Sequence, residues 1–268
     1  MVKGRIEMRT ISEESIKAYL NADLGKELSV YSVIDSTNNA AKLLAKNGAP
    51  HGAVVVAGRQ TAGKGRLGRS FYSPDAEGIY MSVILRPQLP AEYSILMTSA
   101  ISVAAARAIE SVSGVSVKIK WVNDLYWNGK KLCGILTESS LAPGGALDYA
   151  VIGIGINVST NSFPPELSDK ATSLAAAGCG ELDANRLIAE ILNQFAVVYR
   201  QLETREFLEE YKVRSCVLGK TVRIVRGEDT YEATATDIDR DAHLLVTTKS
   251  GEQRVLSSGE VSLKGNWM

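Results

Sequence analysis

Residues 58–69 read GRQTAGKGRLGR and follow an apolar run, AVVVA at 53–57, with the length and composition of a buried strand. Four glycines and four cations (Arg59, Lys64, Arg66 and Arg69) share these twelve positions. Glycine lets a backbone turn tightly and approach a ligand. Arginine brings a planar fork of donors suited to carboxylate or phosphate oxygens, and lysine a point charge. A loop of this make-up suits folding over an anion. Two other readings compete. Gly58 and Gly63-Lys64 match the G-x-x-x-x-G-K pattern of a nucleotide phosphate loop. Gly65, however, stands where that loop needs a hydroxyl for magnesium, and RLGRSFYSP is a poor helix start. The segment could also be a solvated basic surface loop.

A second constellation lies downstream. Lys120, Asn123, Asp124 and Lys131 flank Asn128-Gly129, a strong two-residue hairpin signal. Asp124 can hold magnesium or orient a cationic amine, Asn123 can bond in both senses, and Lys131 suits a carboxylate or phosphoryl oxygen. With the glycine loop this supplies an anion cradle and a divalent-ion ligand, as nucleotidyl or phosphoryl transfer requires. Standing alone, it could be an ordinary charged surface hairpin. Two further segments are open in the same way. Ser36-Thr37-Asn38 can cap a helix, or can fix a small polar ligand at a strand end. Gly153-Ile-Gly155-Ile-Asn157 lacks the third glycine of a dinucleotide fingerprint, so close backbone approach to a ligand explains its glycines better. Asn157 could read an adenine edge or serve as a turn residue.

The elements that must position these residues follow from periodicity. Helices are expected at 11–20 with Ser12 as cap, after Asp35-Ser-Thr-Asn38 up to Asn47-Gly48, at 92–112 up to Gly114, at 183–200 with Asp183 as cap, and near 204–213. Strands are expected at 28–34, 53–57, 78–86, 117–121, 130–138 and 148–158. The 92–112 segment is apolar on most faces and should lie buried on a sheet. From Leu218 the chain turns to short alternating strands, with turns at Arg226-Gly227, Asp239-Arg240-Asp241 and Ser250-Gly251. They suggest a small five-stranded barrel packed on the larger part.

Composition narrows the function. Thirty Lys and Arg balance thirty Asp and Glu, so the net charge does not point to nucleic acid. Cys133, Cys179 and Cys216 are far apart, form no disulfide framework and read as small apolar fillers. Two histidines without metal-ligand spacing argue against a zinc enzyme. The N-terminal residues show no secretory signal, and no uninterrupted apolar run approaches a membrane span. A cytoplasmic location and no membrane contact are the resulting expectations.

Together the motifs resemble those of the biotin protein ligases, or biotin–[acetyl-CoA-carboxylase] ligases. The family's Ser-Thr-Asn segment is matched by Ser36-Thr37-Asn38. Its Gly-Arg-Gly-Arg-x-Gly-Arg loop is matched by Gly63-Lys64-Gly65-Arg66-Leu67-Gly68-Arg69, and its Lys-Trp-Pro-Asn-Asp by Lys120-Trp121-Val122-Asn123-Asp124. Lys131-Leu-Cys-Gly134-Ile-Leu, the GIGIN segment and the closing Gly259 to Gly265 complete the set. The resemblance runs from about residue 28 to the C-terminus. Lys64 departs from the family's arginine, Val122 from its proline, and Phe71 stands where some relatives carry tryptophan. Lys64 keeps the charge but loses the fork, Val122 should loosen the backbone before Asn123, and Phe71 can still stack on adenine.

The resemblance implies an α+β fold of the class II aminoacyl-tRNA-synthetase and biotin-ligase type. It is a mixed, mostly antiparallel sheet with packed helices, followed by an SH3-like C-terminal barrel. The implied division is a helical extension at 1–27, a catalytic domain at 28–216 and the barrel at 217–268, as in members without the DNA-binding domain. The implied activity uses ATP, Mg2+ and biotin to make biotinyl-5'-AMP and pyrophosphate. Biotin then passes to a lysine of a biotin carboxyl carrier protein. The implied biotin residues are Ser36, Thr37, Asn38, Gln60, Gly63, Arg66 and Gly134, with Ser36, Thr37 and Gln60 at the ureido end. The implied nucleotide residues are Lys64, Gly65, Arg69, Phe71, Asn123, Lys131 and Asn157. Arg66, Lys131 and Asp124 would be catalytic, and Asp124 would serve magnesium or the incoming lysine. A homodimer joined through sheet edges fits the family, and direct DNA binding is not expected. A non-catalytic biotin or nucleotide sensor and a lipoate–protein ligase are the alternatives.

Overall fold

The computed structural model describes residues 10–226 and 228–263. Three parts of the sequence reading lie outside the described residues: the first nine residues of the N-terminal extension, Gly227 of the first tail turn, and Lys264-Gly265 of the closing motif.

A seven-stranded sheet carries the larger part of the chain. Its strands are β1 (Leu28–Ile34), β2 (Val54–Gln60), β3 (Gly78–Leu85), β4 (Lys118–Lys120), β5 (Asp124–Trp127), β6 (Lys130–Leu141) and β7 (Leu147–Asn157). The spatial order is β1-β2-β3-β7-β6-β5-β4. Only β1 and β2 run parallel, and every other neighbouring pair is antiparallel. The Asn128-Gly129 turn forms as expected, with both residues at positive φ, 46° and 74°, between paired Trp127 and Lys130.

Side chains alternate across a sheet, so one register assigns every residue a face. Ile79, Met81, Val83 and Leu85 of β3, with Ile152, Ile154 and Ile156 of β7, enter the main core. Against that core pack α3 (Tyr93–Ser113), α4 (Ala184–Tyr199), α5 (Phe207–Arg214) and the short α1 (Glu13–Lys17). On the opposite face α2 (Thr37–Lys46) buries Ala41 and Ala45 against Val55, Ile84 and Val151. The same face, further along β7, presents Gly153, Gly155 and Asn157. In Gly-Ile-Gly-Ile-Asn the isoleucines fill the core and the glycines leave the other face bare.

Three local expectations change. The helix expected at 11–20 is reduced to α1: after Lys17 the chain tightens into turns, with Tyr19 N–H donating to Ile16 O and Leu20 N–H to Lys17 O, and then Asn21 and Ala22 donate to the Asn193 side chain of α4. Ser12 caps α1 as expected by accepting from the Ser15 amide. Ser36 stands at the N-cap of α2, but among the described residues its hydroxyl makes no capping bond. The first helical amide, Thr37 N–H, donates instead to Gln60 Oε1 at 2.9 Å. The cap comes from β2, not from the adjoining residues. The third change concerns α3, which is long and apolar enough by composition to cross a membrane; 72% of its apolar window is buried within the protein. Its apolarity belongs to a core helix, and looking only for uninterrupted apolar runs misses it.

The tail forms a five-stranded antiparallel SH3-like sheet of β8 (Thr221–Arg226), β9 (Asp229–Ile238), β10 (Leu244–Thr248), β11 (Gln253–Leu256) and β12 (Glu260–Leu263). Its order is β11-β10-β9-β8-β12. It is tied to the larger part by Trp121 Nε1, which donates to Ala242 O at 2.9 Å. Val222, Ile224, Ala233 and Leu244 continue the main core. Burial pushes the Cys133 thiol up and that of Cys216 to about 11, as expected of packing cysteines.

Between α3 and α5 lies a polar clamp in which Arg107 and Arg214 both reach Glu210, and Arg214 also reaches Glu110. Hydrogen bonds from Ser116 and Arg214 hold the Glu110 carboxyl below its usual range. Burial pushes Glu210 up, but bonds from the two arginines outweigh it and the net direction is also down. A lowered folded pKa contributes stability that is present above the unfolded value and lost as pH falls through the folded value. The thermal midpoint should therefore stay level from about pH 7 to about pH 5 and drop further down. Glu210→Gln should lower the midpoint at neutral pH and shrink the acid drop. A scan of unfolding temperature against pH checks both.

Candidate active site

A cleft of about 770 Å³ opens on the glycine face of the sheet. It is lined by Ser36, Thr37, Asn38, Gln60, Lys64, Gly65, Arg66, Arg69, Phe71, Asn123, Asp124, Lys131, Gly134 and Asn157. The one sequence-proposed residue that does not line it is Gly63. That residue is buried at the stem of the loop, where its carbonyl accepts from Phe71 N–H at 2.9 Å. A Cβ there would lie 2.6 Å from Phe71 O and from Ser73 Oγ, so Gly63 shapes the loop instead of the wall.

The loop after β2 opens no full helix. Its tip is a single 3-10 turn at Arg66–Gly68, and Gly65 N–H donates to Arg69 O at 2.7 Å to close the turn. This removes the phosphate-loop reading. The loop is not merely solvated either. Arg66 donates to Asn123 Oδ1 at 3.0 Å and to Gly259 O at 2.9 Å. Arg69 binds Glu260, and Lys64 donates to Asn39 Oδ1. The guanidinium of Arg66 thus joins the sheet to the C-terminal unit.

Asn123 is held in turn by donating to Ile135 O at 2.6 Å. Just before it the Trp121–Val122 peptide is cis, and Val122 O accepts from the buried Tyr211 hydroxyl at 3.0 Å. Val122 itself is buried. Lys131 is fixed through its backbone, which pairs with Lys170 and Thr172. Its ammonium lies 2.7 Å from Asp124 Oδ1. That oxygen is buried, and this ion pair is its contact among the described residues.

The floor is bare backbone with two side chains laid on it. Asn38 sits over Gly153, where an added Cβ would lie 2.1 Å from Asn38 Oδ1. Phe71 sits over Gly155 and Gly134, at 2.5 and 3.1 Å from their added Cβ positions. The close approach expected for a ligand at the GIGIN glycines is therefore made by the chain's own Asn38 and Phe71. Asn157, at the end of β7, donates to Thr172 O at 3.0 Å and is no turn residue. Gly153 and Asn157 are four residues apart on one strand, roughly 13 Å. A ligand along this face would span from the Thr37 end to the Asn157 end.

Lys120, which the sequence grouped with Asn123, Asp124 and Lys131, lines the wall. Sequence reasoning did not place Lys170, Glu260 or Val261 there; Lys170 adds positive charge, and Glu260 and Val261 bring the tail into the cleft. Burial pulls the Lys120 pKa down, against the opposing effect of Asp124. The strand alternation placed Lys118 and Lys120 on one face, but only the Lys120↔Asp124 register carries the latter to the cleft. Nothing local marks Glu260, whose partner Arg69 is far away in sequence.

Residues 30–157 match the model of the Biotin/lipoate A/B protein ligase family, and residues 217–264 match that of the Biotin protein ligase C terminal domain. The Bifunctional ligase/repressor BirA of Bacillus subtilis is 37% identical over 257 residues, covering 92% of this chain and 78% of that protein. The chain belongs to the biotin protein ligase family. The Biotin–[acetyl-CoA-carboxylase] ligase of Mycobacterium tuberculosis is 30% identical, with 88% of each chain covered. The Aquifex aeolicus biotin protein ligase, solved in complex with biotin and ATP, superposes with a TM-score of 0.75. It is 28% identical over 89% of this chain and 99% of that one.

The bare floor yields a prediction. Gly153→Ala forces Asn38 from a position fixed by several hydrogen bonds and should destabilise the protein by about 1–3 kcal/mol. Gly180→Ala, where a Cβ meets nothing within 4 Å, should stay within about 0.5 kcal/mol. Urea unfolding of the two variants makes the comparison.

Proposed function

We propose that this chain is an ATP-dependent biotin protein ligase that acts on the carrier domains of biotin-dependent carboxylases. In the first step a biotin carboxylate oxygen attacks the α-phosphorus of ATP, the bond to the bridging oxygen breaks, and pyrophosphate leaves. In the second, a neutral lysine amine attacks the carbonyl of biotinyl-5'-AMP, giving an amide and AMP and releasing a proton. The observation that carries this reading is the convergence of Arg66 and Lys131, from two separate elements, on a cleft running from Thr37 and Gln60 to Asn157.

In this proposal Ser36, Thr37, Asn38, Gln60 and Gly134 contact biotin, Gly63 shapes the loop around it, and its ureido group lies at the Thr37 end. Arg66 and Lys131 lie between its carboxylate and the α-phosphate and stabilise the charge that moves there. Lys64, Gly65, Arg69 and Asn123 serve the phosphates, and Phe71 and Asn157 serve the adenine. Phe71 must leave the floor or share it with the ligand. Among the described residues no three His, Cys, Asp or Glu side chains cluster as metal ligands. A magnesium ion borne by phosphate needs only one or two carboxylates, and Asp124, a carboxylate on the cleft wall, would hold it. Bound there, the ion would neutralise phosphate charge. In the second step Asp124 positions the acceptor amine, which must lose its proton before it can attack.

The division into 1–27, 28–216 and 217–268 belongs to the same proposal, as do the biotin carboxyl carrier protein as the specific acceptor and a cytoplasmic setting.

Exchange of labelled pyrophosphate into ATP tests the reading. Exchange that requires biotin and is not supported by lipoate is the expected result, with a fall of roughly hundredfold or more in Lys131→Ala. Exchange with lipoate alone would move the chain to lipoate ligation. Biotin binding without exchange would favour a sensor.

A further inference from the structure

Behind the Thr37 end of the cleft runs a chain of polar side chains that starts at Glu138. Glu138 faces the α2 side of β6, paired across the ladder with Val151. One carboxylate oxygen is ion-paired with Lys42, and the other accepts from Asn38 Nδ2 at 2.8 Å. Burial pushes the Glu138 pKa up, but the bonds from Lys42 and Asn38 outweigh it and keep the group ionised at neutral pH. The second Asn38 N–H points at Leu136 O, 3.4 Å away. Both amide hydrogens are thus engaged, and Asn38 Oδ1 is left to accept.

Its neighbour is the fully buried Ser82 hydroxyl, at 2.7 Å. Ser82 also lies 2.8 Å from Thr37 Oγ1. A hydroxyl carries one hydrogen and cannot donate to both. Asn38 Oδ1 has no hydrogen of its own, so Ser82 must donate there, and Thr37 must donate to Ser82. The reverse order would leave two acceptors facing each other at 2.7 Å. The order given leaves the longer 3.2 Å Thr37 Oγ1 to Gln60 Oε1 contact without a proton, and the Thr37 amide already serves that oxygen at 2.9 Å. With its hydrogen committed inward, Thr37 offers lone pairs to the cleft.

We infer that Glu138 is a positioning residue that fixes the direction of this chain, so that the Thr37 hydroxyl accepts from a urea or amide N–H of the ligand. The inference rests on the proposed reading that the biotin ureido group meets Thr37. It makes a carboxylate outside the cleft wall a determinant of which acid is recognised, because a ring without N–H donors gains nothing from such an acceptor.

Glu138→Gln tests the direction. Lys42 can pair only with the amide oxygen of the new side chain, so the amide NH2 faces Asn38. Asn38 must then turn, Ser82 donates to Thr37, and the Thr37 hydrogen turns to Gln60 Oε1, so Thr37 has one lone pair fewer to offer the ligand. In pyrophosphate exchange the expected result is a rise in KM for biotin of roughly tenfold or more, with KM for ATP and kcat near wild type. Lys42→Gln, which keeps the carboxylate as acceptor, should leave KM for biotin near wild type. Thr37→Val is measured beside them. If Thr37→Val leaves KM for biotin unchanged, the ureido reading fails and the inference with it. If Thr37→Val raises it but Glu138→Gln does not, the inference alone is overturned. It is also overturned if Glu138→Gln changes both KM values and the thermal midpoint together, since that is the signature of a merely structural residue.

Discussion

Two unit charges of like sign 4 Å apart repel by about 4 kcal/mol at an effective dielectric of about 20. In the proposed reaction a carboxylate must come closer than that to a triphosphate, so the protein must supply cations fixed in place before the ligands arrive. Arg66 and Lys131 are such cations, and their supports come from three directions. Asn123 and Gly259 O hold the Arg66 fork, and Asp124 holds the Lys131 ammonium. The C-terminal unit is part of this arrangement, because Gly259 lies just before β12 and Glu260 opens it. That unit contributes by bracing the loop of the larger one.

The same cleft needs room for a long ligand on a packed sheet. Alternating Gly and Ile on β7 meets that need, with the isoleucines anchoring the strand in the core and the glycines baring its other face. The hydrogen bonding of Asn38 and the ring of Phe71 then give that face chemical character. Binding specificity and fold stability therefore share the same few residues, and the Glu138 chain extends that sharing to Asn38 and Lys42 of α2.

Much of the site was legible from the sequence because it is local. The glycine loop, the Lys120 to Asp124 segment and the Asn128-Gly129 turn each carry their signal within a few residues. The positions of most strands and the burial of α3 followed from periodicity. What was not legible depends on contacts across the fold. The cap of α2 comes from Gln60, the GIGIN glycines face Asn38 and Phe71, and Arg69 meets Glu260 from the far end of the chain. Periodicity gives the face on which a residue lies, but not which residue will lie over it.

The central claim is that Arg66 serves the joining of two anions and not the later transfer of biotin. Rapid-quench measurement of biotinyl-5'-AMP formation in a single turnover, set against acceptor biotinylation from supplied biotinyl-5'-AMP, separates the two. The account predicts that Arg66→Ala slows adenylate formation by roughly 10²–10³-fold and slows transfer far less. Equal loss in both steps, or no loss in the first, would contradict it.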